Sequence, residues 1–257
     1  MSDGEKQEDE NHVELSEVSL GFLKTTKAME LCKKKNLETS PELIDLAIKS
    51  VGRLEKITKE VAEKNGLIID KEKMLGGLFD TLDEAHGNFG RDKVSFSDFL
   101  GALADENFQV DVNVVDPLEY FSEIGNIASV SSMKGEIDRI REEFPGESAP
   151  EEVATKLINY IDENHHVGVD HDMYLRDLSR GKDHNKTMKY LLKNISLGEA
   201  LCPSFVGKYA EASVQYGNGM IGAVLDGTHR VAAALVTGQK LLVIEVDMDK
   251  VILRNNT

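Results

Sequence analysis

The segment 224–246, VLDGTHRVAAALVTGQKLLVIEV, constrains the fold of this chain more than any other stretch. Two apolar, strand-like runs flank an alanine-rich run with helical character. A strand, a short helix and a second strand in this order predict a compact unit in which the helix packs on a sheet. The tight turn between the first strand and the helix nevertheless consists of polar and small residues, namely Asp226, Gly227, Thr228, His229 and Arg230.

These turn residues are of the types that bind an anion at the start of a helix. Gly227 permits a sharp exit from the strand, and Thr228 can cap the helix. The first-turn amides and the helix dipole favour an anion, and the Arg230 guanidinium matches a phosphate or a carboxylate. His229 can donate a proton, and Asp226 can hold Mg²⁺ or accept a proton. The alternative is an ordinary capped turn of a βαβ crossover, where Asp and Thr are common.

The same segment resembles the core of the ParB/sulfiredoxin-like superfamily, whose members carry a Gly-x-(His/Arg)-Arg turn between a strand and a helix. Two upstream stretches, HHVGVDHDMYL and MKYLLKNISLGEALCPSFVGKY, are similar to the family's first strand and to its next helix, glycine and strand. The resemblance covers residues 165–250, about a third of the chain. It implies a small α/β domain that holds nucleotide phosphates at the turn, and Asp226, Gly227, His229 and Arg230 match residue by residue.

The activities of that superfamily differ, and the turn residues favour one of them. Chromosome-partition ParB proteins bind CTP and DNA, and they typically have arginine at the position of His229. They also carry a helix-turn-helix after this segment, and we do not expect one in residues 247–257 of this chain. Sulfiredoxins have a cysteine where Thr228 stands. The DG-x-HR form looks more like the ParB-like free serine kinases. It implies an ATP-dependent phosphotransferase with Mg²⁺ and ATP, ADP or CTP, in which Asp226 and His229 are catalytic and Asp226 also binds the metal. A separate base, Glu199 or Glu211, is a further expectation.

The region before this segment is predicted to be mostly helical. Residues 1–14 are acidic and polar and indicate a disordered tail. The strongest helix pattern begins with Ser40 as cap and Pro41 in the first turn, and Gly66 ends it. Two prolines and a glycine in FPGESAPEE mark a boundary near residue 150. The sequence therefore predicts an α+β protein with an acidic helical domain over 15–150 and a ParB/sulfiredoxin-like α/β domain over 151–257.

The net charge of −16 is distributed unevenly. Residues 165–257 contain 11 Lys and Arg against 10 Asp and Glu, which is a net charge of +1 and leaves −17 for residues 1–164. This acidity suits a solubilising face or the binding of a basic partner protein, and it disfavours nucleic acid. The absence of a long apolar run or signal-like start, with only Cys32 and Cys202, favours a cytoplasmic protein without a membrane span.

Helix–loop–helix patterns in the acidic region suggest degenerate EF-hands. In the loop 61–72, Gly66 and Glu72 fall at positions six and twelve of a calcium loop, but Val61 at position one cannot bind calcium. A second loop, 162–173, ends in Met173 and lacks the glycine at position six. We therefore expect helical packing units that do not bind calcium.

Three functions are consistent with these observations. The first is a nucleotide- or phosphate-binding protein, with a small phosphorylated molecule as the ligand and with phosphotransfer as its activity. The second is a non-enzymatic interaction protein that binds a basic partner through its acidic helices. The third is a ParB-like nuclease, although its substrate calls for more positive charge than this chain carries.

Overall fold

The computed structural model describes residues 17–35, 40–89, 94–123, 142, 149–163, 182–208 and 222–254. In chain order the described elements are α1 (Glu17–Lys34), α2 (Pro41–Lys64), α3 (Lys71–Phe89), α4 (Phe96–Ala104), β1 (Val110–Val115), α5 (Pro117–Glu123), α6 (Pro150–Glu163), α7 (Lys182–Ser196), β2 (Ser204–Lys208), β3 (Gly222–Asp226), α8 (Thr228–Thr237), β4 (Leu241–Asp247) and α9 (Met248–Arg254). This mixture of helices with one small sheet confirms the predicted α+β class.

Among the described residues, the sheet has four strands in the order β1-β4-β2-β3. The inner strands β4 and β2 are parallel, with Phe205 opposite Ile244. The outer strands are antiparallel to their neighbours: Val112 of β1 lies opposite Ile244, and Val206 of β2 lies opposite Val224. Strand β4 is buried along almost its whole length, as expected for a strand whose two faces are both covered by helices.

Helices cover both faces of the sheet, so the described part of the chain forms an apolar core on each face. Successive residues of a strand point to opposite faces. Leu242 and Ile244 of β4 pack into a core formed with α1, α2, α3, α4 and α9. Leu241 and Val243 pack into a second core formed with α5, α6, α7 and α8. The C-terminal strands therefore depend on the N-terminal helices for one of their two apolar layers.

The start and end of α2 confirm the prediction made from its sequence. The Leu43 amide donates to the Ser40 hydroxyl at 3.2 Å, and Pro41 is the first helical residue. Gly66 follows the helix with φ of 68°, the left-handed conformation that glycine adopts readily. Val51 and Leu54 of α2 are fully buried and belong to the core beneath the sheet.

Two elements were not anticipated from the sequence. Strand β1 lies in the region predicted to be helical, and it pairs with β4 at the edge of the sheet. Its alternation is short: Val110 and Val112 are buried, whereas Asp111 and Asn113 are exposed. Helix α9 begins directly after β4, and no sequence pattern described above predicts it.

A polar joint connects β1, β4, β2 and α5 around the buried carboxylate of Glu245. Asn113 Nδ2 donates to one carboxylate oxygen at 2.9 Å, and Lys208 Nζ lies 2.8 Å from the other. The Tyr120 hydroxyl also donates to this carboxylate. Burial, and then the hydrogen bond to Glu245, raise the pKa of Tyr120 far above its usual range. Strands β1 and β2 and helix α5 therefore each contribute one partner to the buried Glu245 carboxylate of β4.

The segment 61–72 begins in α2 and ends in α3, so a helix occupies both of its ends. Val61 lies inside α2, and Ile68 forms a parallel bridge with Glu199, with the Ala200 amide donating to the Ile68 carbonyl at 2.7 Å. Within the described ranges, no group of three or more His, Cys, Asp or Glu side chains is placed to hold a metal ion. Most of the loop 162–173 lies outside the described residues.

Several other sequence predictions also concern residues that the structure does not describe. They are the tail 1–14, the family-like first strand HHVGVDHDMYL, and Glu211 as a base. Among the helices that are described, none is long and apolar enough to cross a membrane.

Candidate functional site

A cleft of about 880 Å³ lies between α3 and α7 and reaches the turn at residues 226–230. Helix α3 contributes one wall through Lys73, Gly76, Gly77 and Asp80. Helix α7 contributes the opposite wall with side chains that recur at helical spacing: Thr187, Tyr190, Leu191 and Asn194. All five turn residues singled out from the sequence line this cleft, so the fold brings them to one concave surface.

The turn is shaped by Gly227, which occupies the N-cap position of α8. Its φ of 98° is left-handed. A side chain at this position would overlap Ser204 Oγ and would lie 2.9 Å from Arg230 Nε. The sequence predicts Thr228 as the cap of the helix, and this is wrong: Gly227 occupies the cap position, and Thr228 is the first helical residue. The geometry explains the difference, because only glycine fits the cap position here.

Arg230 joins the turn to α3 through a closed network of three side chains. Its Nη2 contacts Asp226 Oδ2, one helical turn away, and donates to Thr81 Oγ1 at 3.1 Å. Thr81 Oγ1 in turn donates to Asp226 Oδ2 at 2.8 Å. The Arg230 side chain is only 14% exposed, and its buried Nε has no hydrogen-bond partner among the residues that the structure describes. The guanidinium is thus held at the base of the cleft by an internal carboxylate.

No family model, no curated protein and no solved structure matches this chain. The resemblance of the DGTHR turn to the ParB/sulfiredoxin-like superfamily therefore stays a prediction. What the site can do has to be argued from its own geometry.

The remaining turn residues have different degrees of access to the cleft. Thr228 is exposed at the start of α8, and His229 is half-buried beside it. Asp226 also faces the cleft, but its Oδ2 is engaged by both Arg230 and Thr81. A single carboxylate can bind Mg²⁺ when phosphate oxygens supply other ligands. Asp226 fits that role only after its contact with Arg230 is exchanged for another.

Cys202 belongs to this site in space, although it is distant from the turn in sequence. Strands β2 and β3 are antiparallel, with Phe205 opposite Asp226, so residues just before β2 lie beside the residues just after β3. Cys202 lines the cleft and its Sγ lies 3.9 Å from the Met74 carbonyl. Burial raises the pKa of the thiol to about 11, against the opposing effect of Arg230. The thiol is therefore protonated at neutral pH and is not an activated nucleophile.

Gly77 explains how Cys202 reaches this position. A Cβ atom at residue 77 would lie 2.6 Å from Cys202 Sγ and 3.0 Å from Cys202 Cβ. The glycine that weakens the helix pattern of α3 thus allows the segment before β2 to pack directly against the helix. Sequence spacing gave no signal for this contact, because it joins residues 125 positions apart.

Lys73 marks the opposite end of the cleft. Its Nζ lies 2.7 Å from Glu199 Oε2, 3.2 Å from Asn194 Oδ1 and 3.6 Å from Asp70 Oδ2. Burial alone would lower the pKa of Lys73, but Glu199 and Asp70 raise it above its ordinary value. Lys73 and Thr81 are eight helical residues apart, which corresponds to about 12 Å along α3. Glu199, considered as a base, is therefore held by Lys73 and lies far from the Arg230 turn.

The cleft is close to balanced in charge. Its acidic and basic lining residues are Asp70, Glu72, Asp80, Asp226, Lys27, Lys73 and Arg230. With His229 neutral these sum to −1, so a free polyanion gains little from long-range attraction. An anion is favoured locally, where the dipole of α8 and Arg230 act together.

Proposed function

We propose that the cleft binds a small phosphate-bearing molecule, with a nucleotide as the leading class and with the phosphate at the start of α8. The observation that carries this proposal is that α8 begins in the cleft with a glycine at its N-cap position, directly beside Arg230. The start of a helix, with its first-turn amides and the positive end of the helix dipole, is a favourable binding position for an anion. The cleft volume of about 880 Å³ is in the range of small-molecule sites.

The contact between Asp226 and Arg230 suggests how such a ligand binds. The Asp226 carboxylate occupies part of the guanidinium fork that a phosphate would use. A phosphate that takes over this contact releases Asp226, whose carboxylate then faces the bound phosphate. That exchange would place Asp226 to bind Mg²⁺ together with phosphate oxygens, and Mg²⁺ would offset the acidic lining of the cleft.

A more specific version of this proposal is phosphotransfer. It is supported by the resemblance of the DGTHR turn to the ParB/sulfiredoxin-like superfamily. In that form ATP is the phosphoryl donor, and ADP or CTP are further candidate ligands. Mg²⁺ would neutralise charge on the phosphates when bound. Arg230 and the first-turn amides of α8 hold the phosphate, His229 polarises the transferred group, and Asp226 takes a proton or holds the metal.

The proposal also retains two expectations that follow from composition. One is a cytoplasmic location, and the other is a basic protein partner for the acidic helical region. Nucleic acid is not proposed as a ligand, because residues 1–164 carry a net charge of −17.

The test is a nucleotide titration with variants at Thr228, the exposed first residue of α8. Thr228→Glu places a carboxylate at the anion position and is compatible with the helix dipole, so the fold is retained. Thr228→Gln is the matched control, since it has nearly the same size and no charge. Thermal shift and calorimetry are measured with ATP, ADP and CTP, each with Mg²⁺, for wild type and both variants.

We expect wild type and Thr228→Gln to bind at least one nucleotide with similar affinity. Thr228→Glu should bind that nucleotide about tenfold more weakly, equivalent to about 1.4 kcal/mol. Equal affinities in all three proteins, or no nucleotide response in wild type, would exclude phosphate binding at the start of α8.

A further inference from the structure

Gly76 occupies the middle of α3, where glycine is unfavourable for a helix. Its neighbour Gly77 has a packing reason, since any side chain there would collide with Cys202. Gly76 has no such contact: among the residues that the structure describes, nothing lies within 4 Å of a Cβ atom added to it. Gly76 lines the cleft, as do Lys73 and Asp80, which lie three and four residues away on the same face of α3.

The position of Gly76 lies between the two charged ends of the cleft. Along α3 it is three residues from Lys73 and five residues from Thr81, which holds Arg230. These separations correspond to about 4.5 Å and about 7.5 Å of helix. Met74, Leu191 and Leu201 line the same cleft and give it apolar surface. A ligand that lies along α3 therefore meets Lys73 at one end, Arg230 together with the carboxylate of Asp80 at the other end, and uncharged surface beside Gly76.

We infer that Gly76 is a specificity-determining residue, which leaves room for the uncharged body of an elongated ligand whose phosphate end lies at Arg230. This inference rests on the proposed function and adds the direction and shape of the ligand. The ligand class is a phosphate ester with an uncharged ring or chain, in contrast to a compact anion such as pyrophosphate. A compact anion reaches the start of α8 without passing over Gly76.

A helical glycine with open space beside it also occurs away from the cleft, and this provides a matched control. Gly52 in α2 likewise has no described residue within 4 Å of an added Cβ atom, and it is not one of the residues that line the cleft. Replacing either glycine by alanine should raise the melting temperature, because alanine is the better helix former. Only the substitution in the cleft should change ligand binding.

The experiment measures calorimetric affinities for Mg²⁺ with ATP and for Mg²⁺ with pyrophosphate. The proteins are wild type, Gly76→Ala, Gly76→Leu and Gly52→Ala. We expect ATP affinity to fall in Gly76→Ala and by about tenfold or more in Gly76→Leu, within the range for adding methylene groups to a fitted pocket. Pyrophosphate affinity should be unchanged in both variants, and Gly52→Ala should bind both ligands as wild type does.

Unchanged ATP affinity in both Gly76 variants would overturn this inference and leave the proposed function intact. An equal loss of pyrophosphate affinity would also overturn it, because the obstruction would then act on the phosphate end. If wild type binds neither ligand, the inference and the proposed function both fail.

Discussion

Gly227 is the residue on which the geometry of the turn depends most. Its left-handed φ of 98° is strained for any other residue, and a Cβ atom would overlap Ser204 Oγ. We expect Gly227→Ala to lower the free energy of unfolding by about 1–3 kcal/mol, the usual cost of such backbone strain. Urea denaturation measures the difference, with Gly101→Ala as the control because its Cβ would contact nothing within 4 Å. Wild-type stability of Gly227→Ala would contradict the described turn.

Cys202 provides a pH-dependent prediction at the same scale. Burial raises the pKa of its thiol from an ordinary value of 9.0 to about 11. A pKa that is higher in the folded protein stabilises the fold below pH 9, and this contribution is lost as the pH rises towards 11. The stability of wild type should therefore fall more steeply than that of Cys202→Ser over this interval, as measured by urea denaturation at several pH values. Parallel curves would show that the thiol is not buried as described.

The sequence indicated the residue types of the turn but not their contacts. The structure places the turn residues on one concave surface, in agreement with their closeness in the sequence: Asp226, Gly227, His229 and Arg230. The partner that fixes Arg230 is Thr81, 149 residues away, and no local pattern points to it. The pairing of Asp226 with Arg230 is predictable from the sequence, because residues four apart around a helix start lie close together.

At the scale of secondary structure, elements with local signals were predicted and elements that depend on pairing were not. Helix α2 carries its own start and end signals in Ser40, Pro41 and Gly66. Strand β1 has six residues, and its alternation of buried and exposed residues is brief, so its local signal is weak. It forms a strand because it pairs with β4. Gly77 is unfavourable in a helix by local preference, and the reason for it is the contact with Cys202, which the sequence does not reveal.

The contact between Gly77 and Cys202 predicts a compensating pair of substitutions between α3 and the segment before β2. Gly77→Ala should destabilise the protein, because the new methyl group would lie 2.6 Å from Cys202 Sγ. The cost should be about 1–3 kcal/mol, as for other overpacked sites. Adding Cys202→Ala removes the sulfur atom and should recover part of that loss. A double-mutant cycle by urea denaturation measures the coupling, and additive effects would argue against the close approach.

At the scale of the whole molecule, the domain boundary predicted from composition does not coincide with a boundary in the sheet. Composition changes near residue 150, which predicted separate domains over 15–150 and 151–257. The sheet crosses that boundary, since β1 pairs with β4. The joint around Glu245 crosses it as well, since Asn113 and Tyr120 bind that carboxylate. A change in composition along the chain does not reveal which distant strands pair with each other.

This continuity predicts that residues 149–257 do not fold alone. Without α1, α2, α3 and α4, one apolar face of the sheet would be exposed, including Phe205, Leu242 and Ile244, which are almost fully buried in the whole chain. The edge of β4 would also lose β1, and Glu245 would lose two of its hydrogen-bond partners. Each loss is costly in a protein domain, whose net stability is only about 5–15 kcal/mol.

The measurement is thermal and urea unfolding of the fragment 149–257, followed by circular dichroism, with the full chain as reference. We expect the fragment to aggregate or to unfold without a cooperative transition, since an exposed strand edge beside an apolar face promotes association. Co-expression with residues 1–148 should restore a cooperative transition, because it supplies β1 and the missing helical layer. A fragment that unfolds cooperatively on its own would instead support the division at residue 150 that the composition suggested.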